Sequence, residues 1–156
     1  MKQLQIEESK AKCLYKTASN EFKQMLEDTF GKSFFTGNII DKIKTYRDAC
    51  DELGEQPINE IELRNLGFTE DELNYRKLKT ITKAFNEGWQ ADWKDNNQEK
   101  WFPSFSMSSC GFVFDDTNYR YSLANTGCAA RLCFSSDELA TYAGNQFTEI
   151  YKCFIL

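Results

Sequence analysis

The chain contains no histidine among its 156 residues. Histidine is the usual acid or base near neutral pH, the usual activator of serine and cysteine nucleophiles, and a frequent metal ligand. Its absence therefore excludes Ser-His and Cys-His catalysis and imidazole metal sites. Any catalytic mechanism would have to use carboxylates, lysine, tyrosine or cysteine.

Long apolar segments are also missing. The first residues after Met1 are polar and charged, and no stretch suits a signal peptide or approaches the length of a transmembrane helix. We therefore expect a soluble protein of the cytoplasm that makes no contact with a membrane.

Recognisable catalytic and cofactor motifs are absent as well: the sequence has no Gly-x-Gly-x-x-Gly, no Walker loop and no nucleophile elbow. The six cysteines are scattered, and the closest two, Cys128 and Cys133, are separated by four residues. We expect mostly buried thiols rather than disulfides or a four-cysteine zinc site, with Cys110 the most exposed and reactive. No metal or cofactor is predicted.

The composition suits one compact domain over residues 1–156, because 41% of the residues are apolar and 15% are aromatic. Acidic residues outnumber basic ones by 24 to 19, and the net charge of −5 disfavours a general affinity for nucleic acid phosphates. Most of the charge lies in residues 1–100, which are predicted to be helical. Residues 101–156 are expected to form the core or an interface.

Apolar periodicity and capping residues predict a series of short helices in the first part of the chain. Ser19 is predicted to cap one of them, and Thr45 with Asp48 resembles the start of another. The clearest begins at Thr69, where Glu72 completes a capping box. The predicted helices are 4–16, 20–30, 38–44, 46–53, 59–66 and the helix after Thr69, whose buried stripe is Tyr75, Leu78, Ile81, Phe85 and Trp89.

Arg76, Lys79 and Lys83 fall on the face opposite that stripe. We interpret them as a solvated helix face stabilised by neighbouring acidic residues. The alternative interpretation is a basic patch that binds phosphate or an acidic partner.

From residue 102 the apolar period changes from helical spacing to two, which predicts strands. The first is predicted over 102–114, with a turn at Asp115, Asp116, Thr117 and Asn118. A second strand, 119–122, and a third, 128–134, would complete a three-stranded antiparallel meander. Asp115 and Asp116 are interpreted as turn residues, because one turn provides too few ligands for Mg²⁺ or Ca²⁺.

A single helix is predicted to follow, capped by Ser135 or Ser136. Its apolar stripe includes Phe147, and Ala140 and Gly144 are small enough to let it approach the sheet closely. The expected fold class is therefore α+β, with short N-terminal helices packed on a small antiparallel three-stranded meander that is followed by a C-terminal helix.

Five residues near the sheet are not all expected to fit inside, because one small core does not need all the aromatic side chains of this region. Trp93 and Trp101 flank a polar connector, where packing is favoured over a stacking platform for a base or sugar. The candidate partner-binding residues are Trp93, Trp101, Tyr119, Arg120 and Tyr121.

Several segments together resemble uncharacterised small proteins encoded by phages and prophages of gut Bacteroidota. The resemblance implies synthesis in the bacterial host cytoplasm, or a place in the virion, and it brings no activity, substrate or catalytic residue. The segments are Asn86-Glu87-Gly88-Trp89, Asp92-Trp93, Trp101-Phe102-Pro103, Gly111-Phe112, Arg131-Leu132-Cys133-Phe134 and the run from Glu138 to Phe147.

The leading hypothesis is a non-enzymatic accessory or virion-associated protein that binds a host or phage protein, or a second copy of itself. The alternative is a nucleic-acid-associated protein that uses Arg76, Lys79 and Lys83 together with aromatic stacking. A weaker option is an enzyme without histidine, built on Asp115, Asp116 and Cys110.

Overall fold

The computed structural model describes residues 8–31, 34–35, 37–122 and 131–156. These residues combine helices with a two-stranded antiparallel sheet, which confirms the mixed α+β class. The helices are α1 Glu8–Thr17, α2 Asn20–Phe30, α3 Ile39–Lys42, α4 Tyr46–Leu53, α5 Glu60–Asn65, α6 Glu70–Phe85, α7 Asp137–Gln146 and α8 Thr148–Ile155, and the strands are β1 Lys100–Ser108 and β2 Gly111–Arg120.

The chain groups into two compact units, Met1–Pro57 and Ile58–Leu156. In the first unit, α1 packs against α2 and α4, and the Lys12 Nζ lies 2.8 Å from a carboxylate oxygen of Glu52. Helices α5 and α6 belong with the sheet in the second unit. The single domain expected over residues 1–156 stays a prediction.

The helix starts follow the predicted capping residues. The Ser19 hydroxyl accepts a hydrogen bond from the Phe22 amide at 3.4 Å, and Thr45 forms a capping box with Asp48. Thr69 forms the second predicted capping box. Residues 4–7 of the first predicted helix lie outside the described residues.

The core of the second unit forms where α6 packs against α8 and α7 packs on the sheet. Phe85, at the end of α6, makes edge-on ring contacts with Phe134, Tyr142 and Phe147 at centroid distances of 6.2, 5.7 and 6.1 Å. Leu78, Ile81 and Phe85 of the predicted stripe are buried, as the periodicity of α6 predicts. Tyr75 is only half-buried, and Trp89 lies beyond the end of α6 and is half-buried as well, so the prediction is wrong for these two residues.

The predicted turn at Asp115–Asn118 is wrong, because these residues continue β2. The hairpin instead turns at Ser109 and Cys110, and Gly111 has the positive φ of 104° that a tight turn tolerates in glycine. Phe105 pairs with Phe114 and Ser104 pairs with Asp116, so Asp115 is an extra residue in β2. This β-bulge explains why a turn-like sequence fits inside a strand.

The three-stranded meander is not confirmed. Residues 128–130 of the predicted third strand lie outside the described residues. Phe134 makes only an isolated antiparallel bridge with Trp101. The Phe134 amide donates to the Trp101 carbonyl at 2.6 Å, and the Trp101 amide donates to the Phe134 carbonyl at 3.0 Å. The sheet in the described part of the chain therefore has two strands.

The C-terminal helix is divided at Phe147 rather than continuous. Ser136 caps α7, since its hydroxyl accepts a hydrogen bond from the Leu139 amide at 3.4 Å. Gly144 lies against the sheet so closely that an added Cβ would be 2.8 Å from the Pro103 Cβ and would overlap the Phe114 ring. The predicted role of Gly144 in close approach to the sheet is confirmed.

Within the described residues, none of the helices has both the length and the apolar character that crossing a membrane requires.

Candidate functional site

Three aromatic side chains gather at the open end of the hairpin. Trp101 and Tyr119 are directly opposite in the strand register, and their ring centroids are 4.8 Å apart. Tyr121 packs edge-on against Tyr119 at 5.4 Å. This cluster unites three of the five residues predicted to bind a partner.

Glu99 adds a carboxylate to this cluster. It accepts hydrogen bonds from the Trp101 indole at 3.1 Å and from the Tyr121 hydroxyl at 3.5 Å. An ionised carboxylate has several acceptor sites, so these two bonds leave capacity for another donor. We call the group formed by Glu99, Trp101, Tyr119 and Tyr121 the Glu99 surface.

The Glu99 surface is accessible to solvent. Tyr119 and Tyr121 are 41% and 42% exposed. Repulsion from the Tyr119 phenol, followed by burial and the nearby Glu99 carboxylate, raises the pKa of Tyr121 above its ordinary value. The Tyr121 phenol therefore keeps its proton and can donate a hydrogen bond to Glu99.

Arg120 lies on the opposite face of the hairpin from Tyr119, because side chains alternate along a strand. Its guanidinium stands 5.7 Å from the centre of the Phe102 ring and donates to the Tyr119 carbonyl at 2.8 Å. The structure thus separates Arg120 from the aromatic residues with which it was grouped.

Trp93 lies in the connector between α6 and β1, outside the Glu99 surface. The Lys100 ammonium is 5.5 Å from the centre of its ring and donates to the carbonyls of Asp95 and Gln98 at 3.0 and 2.8 Å. Lys100 is fully buried, so these carbonyl dipoles and the ring compensate for the loss of water around its charge. Lys100 thereby fixes the connector, a role that the sequence does not predict.

The predicted basic face of α6 is also divided. Arg76 stacks over the Phe68 ring at 4.7 Å, and Lys79 lies 4.8 Å from the centre of the Tyr75 ring. Lys79 and Lys83, but not Arg76, line a cleft of 360 Å³ near the end of α6.

Aromatic and polar residues complete this cleft. We define the basic cleft by six of its lining residues: Lys79, Thr82, Lys83, Trp89, Trp93 and Arg131. Asn86 fixes its back wall, since its amide nitrogen donates to the Cys133 carbonyl at 2.9 Å and its amide oxygen accepts from the Ser135 amide at 3.0 Å.

The residues considered for a histidine-free enzyme lie apart. Cys110 is exposed in the hairpin turn, and its amide donates to the Ser108 hydroxyl at 3.1 Å. Asp115 and Asp116 lie further along β2, and at the usual rise per residue Asp116 is roughly 20 Å from Cys110. In the described portion of the chain, no three Cys, Asp or Glu residues are grouped so that they could hold a metal ion.

The expectation of mostly buried thiols is wrong for the described cysteines. Cys50 and Cys133 are buried, whereas Cys13, Cys110 and Cys153 are exposed, the last near the end of α8. Cys110 is exposed, as the sequence predicts. Cys128 lies outside the described residues.

No family model, curated protein or solved structure matches this chain.

Proposed function

We propose that this chain is a non-enzymatic protein that binds a protein partner, and that the Glu99 surface receives an arginine or lysine side chain of that partner. The observation that carries the proposal is the position of the Glu99 carboxylate, held by the Trp101 indole and the Tyr121 hydroxyl at 3.1 and 3.5 Å.

The chemistry of the surface favours a cation. Trp101 and the two tyrosines supply aromatic faces that attract an ammonium or guanidinium group, and Glu99 supplies an opposite charge. Tryptophan and tyrosine also contribute strongly to binding at protein interfaces, because each buries a large area with few rotatable bonds. A basic side chain therefore gains both an ionic and an aromatic contact here.

The charge of the whole chain supports the same class of partner. A net charge of −5 attracts a basic protein surface and repels the phosphates of nucleic acids. The resemblance to phage and prophage proteins makes a host or phage protein the proposed partner, met in the bacterial cytoplasm or in the virion.

Affinity capture from phage-infected bacteria, followed by mass spectrometry, tests this proposal when variants are compared in parallel. Glu99→Gln keeps the size of the side chain and removes its charge, and we expect it to weaken capture of the partner about tenfold, as loss of a charged hydrogen bond would. Tyr121→Ala should reduce capture similarly.

Met107→Ala is the matched control, since Met107 is a 67% exposed apolar residue near the other end of the same hairpin. It should retain full capture. Circular dichroism of each variant verifies that the fold is kept. Equal capture by Glu99→Gln and the parent, or recovery of nucleic acid alone, would overturn the proposal.

A further inference from the structure

We propose that the basic cleft is a nucleotide-binding site, in which Lys79, Lys83 and Arg131 hold the phosphate and a tryptophan stacks on the base. This site is separate from the Glu99 surface and does not depend on the proposed protein partner.

The first argument is local charge. Lys79, Lys83 and Arg131 line one cleft, and no acidic side chain of the described residues lines it with them. This concentration of positive charge occurs in a chain whose net charge is −5. A concave cationic site raises the local concentration of anions, and guanidinium and ammonium groups are the usual partners of phosphate.

The second argument is the pair of tryptophans. Trp89 and Trp93 line the same cleft and are both partly exposed. Aromatic faces beside cationic side chains are the arrangement by which proteins hold a base and its phosphate without reading its sequence. The Lys100 ammonium, 5.5 Å from the centre of the Trp93 ring, helps to hold that ring in position.

The third argument is a buried hydroxyl. Thr82 is only 3% exposed, and its Oγ1 has no hydrogen-bond partner in the described part of the structure. Buried polar atoms are rarely left without a partner, and Thr82 lines the cleft. The Oγ1 atom itself is covered in the free protein, so a small movement of the cleft wall on binding would let an oxygen of a phosphate or sugar accept the hydrogen bond that this hydroxyl lacks.

The size of the cleft limits the ligand. Its volume of 360 Å³ is near the lower end of the range of about 300–1,000 Å³ typical of small-molecule sites. It suits one nucleotide, either free or as a single unit of a flexible strand. Arg76 lies outside this site, so the site differs from the helix face that the sequence suggested for nucleic acid.

Isothermal titration calorimetry of the full chain tests the proposal with adenosine monophosphate, adenosine and a single-stranded oligonucleotide of about eight nucleotides. Adenosine monophosphate should bind and quench tryptophan fluorescence, and adenosine should bind at least about tenfold more weakly because it lacks phosphate. Tighter, salt-sensitive binding of the oligonucleotide identifies a strand as the ligand, whereas equal affinity identifies a free nucleotide.

Variants of cleft residues, compared with a control variant of α6 outside the cleft, make the test specific. Lys79→Ala and Arg131→Ala should each weaken binding about tenfold, whereas Arg76→Ala, on the same helix but outside the cleft, should leave the affinity unchanged. Thr82→Val replaces the hydroxyl with a methyl group of similar size and should weaken binding about fivefold without loss of thermal stability.

The proposal is overturned if neither adenosine monophosphate nor the oligonucleotide binds at millimolar concentration, or if adenosine binds as well as adenosine monophosphate. Unchanged affinity in both Lys79→Ala and Arg131→Ala would overturn it too. None of these outcomes involves Glu99 or Tyr121, so failure here leaves the proposed protein-binding surface standing.

Discussion

Buried polar atoms in the second unit differ in how their hydrogen bonds are satisfied. The fully buried Lys100 ammonium donates to two backbone carbonyls. The hydroxyl groups of Thr82 and Tyr151 are buried with no partner in the described residues. An unsatisfied buried hydroxyl costs about 1–3 kcal/mol, so each of these two residues reduces the stability of the free protein unless a ligand compensates.

Tyr151→Phe is therefore expected to stabilise the protein. The substitution removes the hydroxyl and keeps the aromatic ring, whose contact with Phe105 has a centroid distance of 4.8 Å. We predict an increase of about 1 kcal/mol in the free energy of unfolding at neutral pH, measured by urea denaturation. A decrease of that size would show that the hydroxyl has a stabilising partner.

The same residue gives a dependence on pH. Burial raises the pKa of Tyr151 well above its ordinary value, so above about pH 10 the unfolded chain loses a proton that the folded chain keeps. Ionisation of Tyr151 therefore leaves the free energy of unfolding unchanged below about pH 10. As the pH rises beyond this value, the free energy of unfolding falls by up to about 1.4 kcal/mol per pH unit.

In this alkaline range, unfolding followed at several pH values should show a smaller loss of stability for Tyr151→Phe than for the parent. Tyr15 and Tyr121 also have raised pKa values, but both proteins contain them, so the difference isolates Tyr151. Identical pH profiles would contradict this explanation.

At the scale of secondary structure, local signals were sufficient for the helix starts and insufficient for the sheet. The caps at Ser19, Thr45 and Thr69 each depend on a bond between residues three apart, so the sequence contains the whole interaction. The bulge at Asp115 depends instead on pairing with β1. The sequence does not predict the break at Phe147 either, because the apolar spacing continues through it.

The packing of α7 on the hairpin depends on the absence of a side chain at Gly144. In Gly144→Ala the added methyl group would lie 2.8 Å from the Pro103 Cβ and would overlap the Phe114 ring. Overpacking of this kind costs about 1–3 kcal/mol, despite the better helix propensity of alanine. Thermal or urea denaturation measures the loss.

Asn145→Ala provides the control on the next residue of α7, which is exposed. Its effect on the free energy of unfolding should stay within about 0.5 kcal/mol. If Gly144→Ala were as stable as this control, α7 would have room to move away from the sheet, and the close contact would not determine the packing.

At the scale of the whole molecule, two surfaces of opposite charge lie within the second unit: the Glu99 surface and the basic cleft. The sequence predicted three members of the first, because surplus aromatic residues near a small sheet tend to remain exposed. It could not predict Glu99 itself, whose role depends on how the connector meets the sheet. Arg131 was missed for a similar reason, since it lies 48 residues beyond Lys83, the last cleft residue of α6.

The charge of the Glu99 surface predicts that partner binding depends on salt. Raising the ionic strength shortens the distance over which charges interact, to about 10 Å at 0.1 M and about 3 Å at 1 M. The association rate with a basic partner should therefore fall by about tenfold or more across this range, as measured by surface plasmon resonance. A rate that is independent of salt would exclude electrostatic attraction.

The most direct test of the central claim is proton–nitrogen correlation NMR of the three tryptophan indoles during titration with a short peptide that contains arginine. The Trp101 indole donates to Glu99, so its resonance should shift and saturate, while those of Trp89 and Trp93 stay in place. In Glu99→Gln the shift should disappear. A Trp101 resonance that does not move, or one that moves equally in Glu99→Gln, would contradict the claim that this surface binds a cationic side chain.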